Sequence, residues 1–271
     1  MIKNINGQGT LLGAADEPCN IYRDGTYLRN NPTLHGEDSE YKFAYIRRLL
    51  EKCAFVGPSV RILDIGGGGG GIAALLCQHL AQHGLQVECH AFDLSPEMLV
   101  QQTAKNPYTT FATSEFALIR EQQYDLALLI DVIEHIPENG PVADDVDCIA
   151  NHIIYNIPIE RNLADWLRNL YMKHRYYALQ TESLGHVHFF SYGGAKRFVC
   201  THHRLVAWIF PDYPGHLLKS QFPDYIKQRT NRLRKLELSI SRLIYLTLKP
   251  FAPWLIQSSL FILADSKTRT R

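Results

Sequence analysis

Val60-Arg61-Ile62-Leu63-Asp64-Ile65-Gly66-Gly67-Gly68-Gly69-Gly70-Gly71-Ile72-Ala73-Ala74-Leu75-Leu76 reads as a short apolar strand, a turn of six glycines and the start of a helix. Bare backbone ahead of a helix N-terminus makes a seat for an anionic or strongly polar ligand. Glycine lets the chain turn sharply and lets that ligand touch the main chain. Asp64 stands two residues before the first glycine, at the tip of the strand. Asp93 ends the next apolar stretch, Val87-Glu88-Cys89-His90-Ala91-Phe92. Strand, glycines, helix, strand and acid in that order lay out a pocket for a nucleotide-derived cofactor.

Working outward, residues 1–36 are punctuated by Gly, Asn, Asp and Pro and read as loop. A helix starts near Asp38 or Ser39, with Phe43, Ile46, Leu49 and Leu50 recurring on one face. Strands are expected at 60–65, 86–93, 109–113, 124–131 and 151–157, and helices at about 71–83 and from Pro96, with Ser95 as cap. Proline suits a first helical position because its missing N–H would be unpaired there anyway. Continuous apolar runs such as Leu126-Ala127-Leu128-Leu129-Ile130 suit parallel strands covered on both faces. The alternation predicts an α/β fold with a doubly wound, mostly parallel sheet. A helix near 193–202 then leads to a strand at 205–210, and Leu260–Ala264 is the last strand. The intervening stretch, Tyr225–Leu248 above all, looks helical and reads as an insertion.

Composition narrows the function. The chain has 271 residues, a net charge of +1 and 46% hydrophobic residues, an ordinary globular balance without the basic excess of a general nucleic-acid binder. Six cysteines are scattered with no pair at two-residue spacing, which points to reduced, mostly buried thiols in a cytoplasmic protein. No secretory signal pattern is read at Met1–Gly13, and no apolar run reaches the roughly 20 residues of a membrane span.

The glycines alone fit two cofactors. Gly66, Gly68 and Gly71 match a dinucleotide fingerprint, and Asp64, Gly66, Gly68 and Gly70 match the pattern for S-adenosyl-L-methionine. A dinucleotide fingerprint has no use for an acid before the first glycine. S-adenosylmethionine does, because its amino-acid end carries an ammonium. Ordered segments add to this: ILDIGGGGGGIAALL (62–76), HAFDLSPEML (90–99), YDLALLIDVIEHIPE (124–138), IIYNIPIE (153–160) and GHVHFFSYGGAKRF (185–198). Over about residues 40–210 plus the last strand, the chain resembles the Rossmann-like, seven-strand class I methyltransferases. Among them, it is similar to the O-methyltransferases of ubiquinone biosynthesis.

The resemblance implies a seven-strand sheet with an antiparallel last strand, an N-terminal lid and a helical insertion. The divisions expected are 1–52 for the lid segment and helix, 53–210 for the cofactor core, 211–258 for the insertion over the acceptor, and 259–271 for the last strand and tail. Gly66, Gly68 and Gly70 would bring main chain to the methionine part, with Asp64 orienting its polar groups. Asp93, followed by Leu94, would take both ribose hydroxyls, a bidentate contact suited to a carboxylate. Glu115 would lie by the adenine amine, Asp131 near the transferable methyl, and Tyr27 or Tyr22 over the sulfonium, since cations favour aromatic faces. On a helical turn after strand four, Asp131, Glu134 and His135 would share a face. His135 and Glu134, with His186 from a later loop, are the candidates for proton removal or acceptor contact. No metal ligand set is assigned. His188 could serve in place of His186, and His202-His203 reads as a solvated helix end.

The resulting expectation is a methyltransferase acting on a small-molecule acceptor, at oxygen rather than nitrogen or carbon. Asp131-Val132-Ile133-Glu134 differs from the Asn/Asp-Pro-Pro-Tyr/Phe tetrad of amino-methylating enzymes. Rival readings are N- or C-methylation, an NAD-dependent oxidoreductase, and a binding protein that kept the pocket without the chemistry. Between 219 and 249, eight basic residues face two acidic ones. Leu233, Leu236, Ile240, Leu243 and Ile244 share a helical face, with Lys227, Lys235 and Arg242 opposite. A packed cap, a homodimer surface and a peripheral membrane contact through 225–256 all fit that pattern.

Overall fold

The computed structural model describes residues 36–269. Its helices and strands are α1 (Ser39–Leu50), β1 (Ser59–Ile65), α2 (Gly71–Gln82), β2 (Gln86–Phe92), α3 (Pro96–Lys105), β3 (Thr109–Thr113), α4 (Phe116–Arg120), β4 (Tyr124–Ile130), α5 (Asn139–Ile149) and β5 (Ala150–Ile159). They continue as α6 (Leu163–Tyr171), α7 (Tyr176–Leu184), α8 (Tyr192–His202), β6 (Arg204–Ile209), α9 (Tyr213–Lys219), α10 (Pro223–Thr230), α11 (Arg232–Thr247), α12 (Ala252–Leu255) and β7 (Ser258–Asp265).

One seven-stranded sheet runs β3-β2-β1-β4-β5-β7-β6. Its first five strands are parallel, and β7 lies antiparallel between β5 and β6. This is the sheet expected from the sequence. Side chains alternate across it, as strand geometry requires. Ile62, Leu126, Leu128, Phe261 and Leu263 face α1 and α2, where Ile46, Leu49 and Leu76 meet them. Leu63, Ala127, Leu129, Ile262 and Ala264 face the other way, onto Val146 and Ile149 of α5 and Val199 of α8. Burial on both faces is why these strands read as unbroken apolar runs.

Ser95 caps α3, its hydroxyl accepting from the Met98 N–H at 3.4 Å, with Pro96 at the first helical position. Four helices, α4 to α7, lie where the sequence offered no assignment. In α5, Gly140 and Pro141 imitate a turn but sit in the first helical turn, where proline removes no intrahelical bond. α7 carries no clear apolar stripe. α6 does, and turns it outward.

The carboxyl ends of β1, β2, β4 and β5 open on one edge. Because β7 is antiparallel, its first residues come to that edge too, with Ser259 paired to Pro158 and Ser258 to Ile159. Every candidate site residue in the described region lies along it or in the loops above it. The five cysteines among the described residues are free. Cys77 and Cys89 are buried, but Cys148 and Cys200 are exposed, so the thiols are less buried than expected. No helix of the described residues is long and apolar enough to cross a membrane.

Candidate functional site: a glycine cradle beside a histidine-lined cavity

After β1 the chain needs three left-handed residues in five positions: Gly66 (φ 63°), Gly68 (φ 54°) and Gly70 (φ 72°). L side chains rarely adopt that region. Close approach adds a second demand. A Cβ at Gly67 would fall inside the Asp64 carboxyl group, and one at Gly70 would stand 2.8 Å from the Gln102 Cα of α3. Gly70 is also the N-cap of α2, so the cradle ends on that helix's open N–H groups.

Asp64 is buried beneath this loop, and among the described residues its carboxyl has no hydrogen-bond partner. Burial, and secondly the Asp93 charge, raises its pKa to about 7. A buried acid without a partner is costly unless a ligand supplies one. Asp93 follows β2 directly and is also buried. Its carboxylate accepts from the Ser95 N–H at 3.0 Å and the Gln102 amide at 3.1 Å. Burial raises its pKa to about 6 against the pull of those donors. Leu94 beside it is half-buried, packed against the core under β2. Glu115 stands exposed at the N-cap of α4, with its N–H on the Thr113 hydroxyl at 3.0 Å. Tyr22 and Tyr27 lie outside the described residues.

Beyond β4 the edge holds a second feature, a cavity of about 200 Å³ bordered by Lys42, Asp131, Glu134, His135, Asn156, Glu160, His186 and Tyr213. The expectation that Asp131, Glu134 and His135 share one helical face is corrected here. Asp131 is left-handed (φ 56°) and precedes the short 3-10 turn Ile133–His135. Its oxygens are taken by the Lys42 ammonium of α1 and the Asn156 amide of β5, both at 2.6 Å. The residues still converge on the cavity, but through the fold and not through helical periodicity. Burial opposes the charge of Lys42, yet Asp131 and Asp38 outweigh it and hold the ammonium protonated.

His186 is brought in by two backbone bonds. The Glu134 carbonyl accepts from the Val187 and His188 N–H groups at 2.9 and 3.0 Å, fixing loop 185–188 to the 3-10 turn. Nδ1 of His186 then donates to the Glu160 carboxylate at 2.9 Å. Nδ1 of His135 meets the Gly185 carbonyl at 3.2 Å, and the two imidazoles cross edge-on, centroids 4.8 Å apart. Glu134 is fully buried, and among the described residues neither of its oxygens is hydrogen-bonded. Burial first, then the Asp131 and Glu160 charges, push its pKa well above the ordinary value. Ligand atoms of Glu134, His135 and His186 all lie within 4.8 Å of one another, close enough to hold a cation, a grouping the sequence did not assign.

His188 turns away, donating to the Ile136 and Pro137 carbonyls at 3.0 Å. His203 is not a solvated helix end. It is buried between Asp147 at 2.9 Å and the Tyr155 hydroxyl at 2.6 Å. His202 pairs with Asp144. Lys42, Gln102, Asn156 and Glu160 complete the two sites, and sequence reading passed over all four. Asn156 and Glu160 stood inside the quoted segment 153–160, where an amide and an acid end an apolar strand. Lys42 carried no signal beyond its place on an amphipathic helix.

The fold is shared with solved methyltransferases. The chain is similar to a protein assigned as a sarcosine dimethylglycine methyltransferase from Galdieria sulphuraria (11% identity, TM-score 0.54, 83% of this chain and 85% of that one). It is similar to magnesium protoporphyrin IX methyltransferase from Synechocystis with bound SAM (12%, 0.51, 94% and 100%). It also resembles a cyclopropane synthase from Mycobacterium tuberculosis (15%, 0.53, 82% and 83%). No curated protein matches the chain in sequence. Residues 37–192 match the family model described as a methyltransferase domain, and the chain belongs to that family. It is an S-adenosylmethionine-dependent methyltransferase. The residues present fit the cofactor: a side-chain-free cradle over a buried Asp64, unpartnered among the described residues, suits a ligand that ends in an ammonium.

Proposed function

We propose that this enzyme methylates a hydroxyl oxygen of a small molecule held in the cavity past β4, with His186 taking the hydroxyl proton. The observation that carries this is the His186–Glu160 pair. Both side chains are buried, the carboxylate holds Nδ1–H, and Nε2 is left for the cavity that His186 borders. A carboxylate on Nδ1 fixes the tautomer and stabilises the imidazolium formed when Nε2 takes a proton. Glu160 is thus a positioning residue. His135 stands against the His186 ring, and Glu134 borders the same cavity.

On the cofactor side, Asp64 receives the ammonium, Gly66, Gly68 and Gly70 present main chain, and Asp93 accepts from the ribose hydroxyls beside Leu94. Glu115 reaches the adenine amine. S-adenosylmethionine supplies an electrophilic methyl on sulfur; the protein's part is alignment and proton removal. Asp131, locked between Lys42 and Asn156, marks the boundary between the two halves. The named acceptors of similar structures, sarcosine and magnesium protoporphyrin IX, support a small molecule. The cavity volume agrees with one.

The test is a labelled-methyl screen of paired hydroxyl and amine acceptors, with NMR locating the transferred methyl. Oxygen-linked product lost in His186→Ala supports the proposal. Nitrogen- or carbon-linked product, or a hydroxyl substrate turned over unchanged by His186→Ala, refutes it.

A further inference from the structure

The insertion carries an apolar face that the fold leaves uncovered. On α11, Leu236, Ile240 and Leu243 recur at helical spacing and are each at least half exposed, while Leu238 faces inward. α6 repeats the arrangement. Its Asp165 is fully buried, and Trp166, Leu167 and Leu170 stand outward. α12 adds Trp254, 52% exposed. These helices are neighbours. Arg168 of α6 ion-pairs with Glu237 of α11 and donates to Gln257, just after α12, at 2.8 Å. A soluble monomer rarely leaves so large an apolar area to water without a partner.

Charge identifies that partner. Arg232 and Lys235 on α11, Lys249 beyond it, and Lys173 and Arg175 after α6 are exposed and form no ion pair among the described residues. The acids nearby are mostly spent: Glu237 is held by Arg168 and Arg234, and Asp212 by Arg242. Apolar side chains rimmed by free cations, with two tryptophans among them, match the boundary between acyl chains and anionic headgroups. Long Lys and Arg stems reach headgroups while their neighbours sink below.

We propose that α6, α11 and α12 dock this enzyme onto the surface of an anionic phospholipid bilayer. The face adjoins the cavity, because Gln257 both borders it and holds Arg168. If the cavity is the acceptor site proposed above, an amphiphilic acceptor has a short path into it from the lipid. Docking itself does not depend on that reading.

Flotation of the full chain with phosphatidylcholine vesicles, with and without phosphatidylglycerol, tests the surface. Binding is expected only with the anionic lipid, with a blue shift of tryptophan fluorescence and loss at high salt. Arg232→Gln with Lys235→Gln should weaken it roughly 30-fold, the effect of removing two cations from an anionic surface. Leu236→Ser with Ile240→Ser should abolish it while S-adenosylhomocysteine still raises the melting temperature, which shows that the variant folds. No flotation with either vesicle overturns the proposal. So does a dimer that the serine substitutions dissociate while vesicle binding is absent, since the occupant is then a second copy. Binding by vesicles with a hydrophilic hydroxyl substrate would leave docking standing and remove only the path from lipid to cavity.

Discussion

Cofactor affinity should rise steeply with pH, and the reason is Asp64. Its pKa is raised to about 7 from an ordinary 3.8. A raised acid holds its proton more tightly in the folded protein, so folding stability falls as pH rises from about 4 to about 7. A ligand ammonium favours the carboxylate and draws the pKa back toward its ordinary value. Binding is therefore weak while Asp64 is protonated and tightens as it ionises. With a pKa of about 7 free and near 3.8 bound, affinity should grow on the order of 80-fold between about pH 5 and about pH 8, about 2.6 kcal/mol. The assay is titration calorimetry with S-adenosylhomocysteine across that range, in two buffers of different ionisation enthalpy, so that the proton released near pH 6 is counted directly. Asp64→Asn should flatten the curve and leave the affinity low at every pH. A flat profile in the unaltered enzyme, or one that tightens toward low pH, would refute the ammonium seat.

The same geometry sets further outcomes. Asp93→Asn should weaken S-adenosylhomocysteine by about 1.5–3 kcal/mol, the scale of a hydrogen bond to a charged group, with the fold retained, as calorimetry and circular dichroism would show. Gly67→Ala should abolish binding, because the added methyl meets the Asp64 carboxyl; a thermal-shift titration that still responds to the ligand would show the loop to be slack. His186→Ala should lower turnover by about 100-fold or more with S-adenosylhomocysteine affinity unchanged, and Glu160→Gln should move the pH profile of kcat, as loss of an imidazolium partner does. A chelator should leave turnover intact, and a chelator-sensitive enzyme restored by a divalent ion would make Glu134, His135 and His186 a metal site instead.

The sheet was legible because its signal is local. Apolar runs ending in Asp64, Asp93 and Asp131 are strands buried on both faces, and each acid marks a carboxyl end. The glycine run was legible for the same reason, since left-handed turns and close approach both need glycine wherever they occur. α6 and α7 were not assigned, and the reasons differ. α7 has no stripe to find. α6 has one, and Asn162 caps it, but its apolar side faces solvent, so the stripe pointed to no buried face. The insertion shows the limit of periodicity: the stripe Leu233-Leu236-Ile240-Leu243 is visible in sequence, whereas the side on which it lies is decided by Leu238, which packs toward Leu217 and Tyr225.

The acceptor side was legible only in part, because long-range pairing assembles it. Glu134 and His135 stood together in sequence, and His186 stood 51 residues beyond His135 among other histidines of equal promise. What separates His186 from His188 is which wall each one meets. His188 finds carbonyls on the turn it crosses, and His186 finds Glu160, at the end of a different strand. The same holds for Asp131, whose partners Lys42 and Asn156 come from α1 and β5. This tie also explains a backbone conformation that a non-glycine residue seldom keeps. Two short hydrogen bonds, one from the half-buried Lys42 ammonium, hold the left-handed Asp131, a strain worth about 1–3 kcal/mol. Replacing Lys42 by methionine removes the cation and leaves Asp131 beside Glu134 and Glu160 with only Asn156 to hold it. The cavity then either takes up a proton or opens, and both effects are local to the wall between cofactor and acceptor. Under the proposed function that wall is where the two halves of the reaction meet, and holding it in place is then what the fold contributes to alignment.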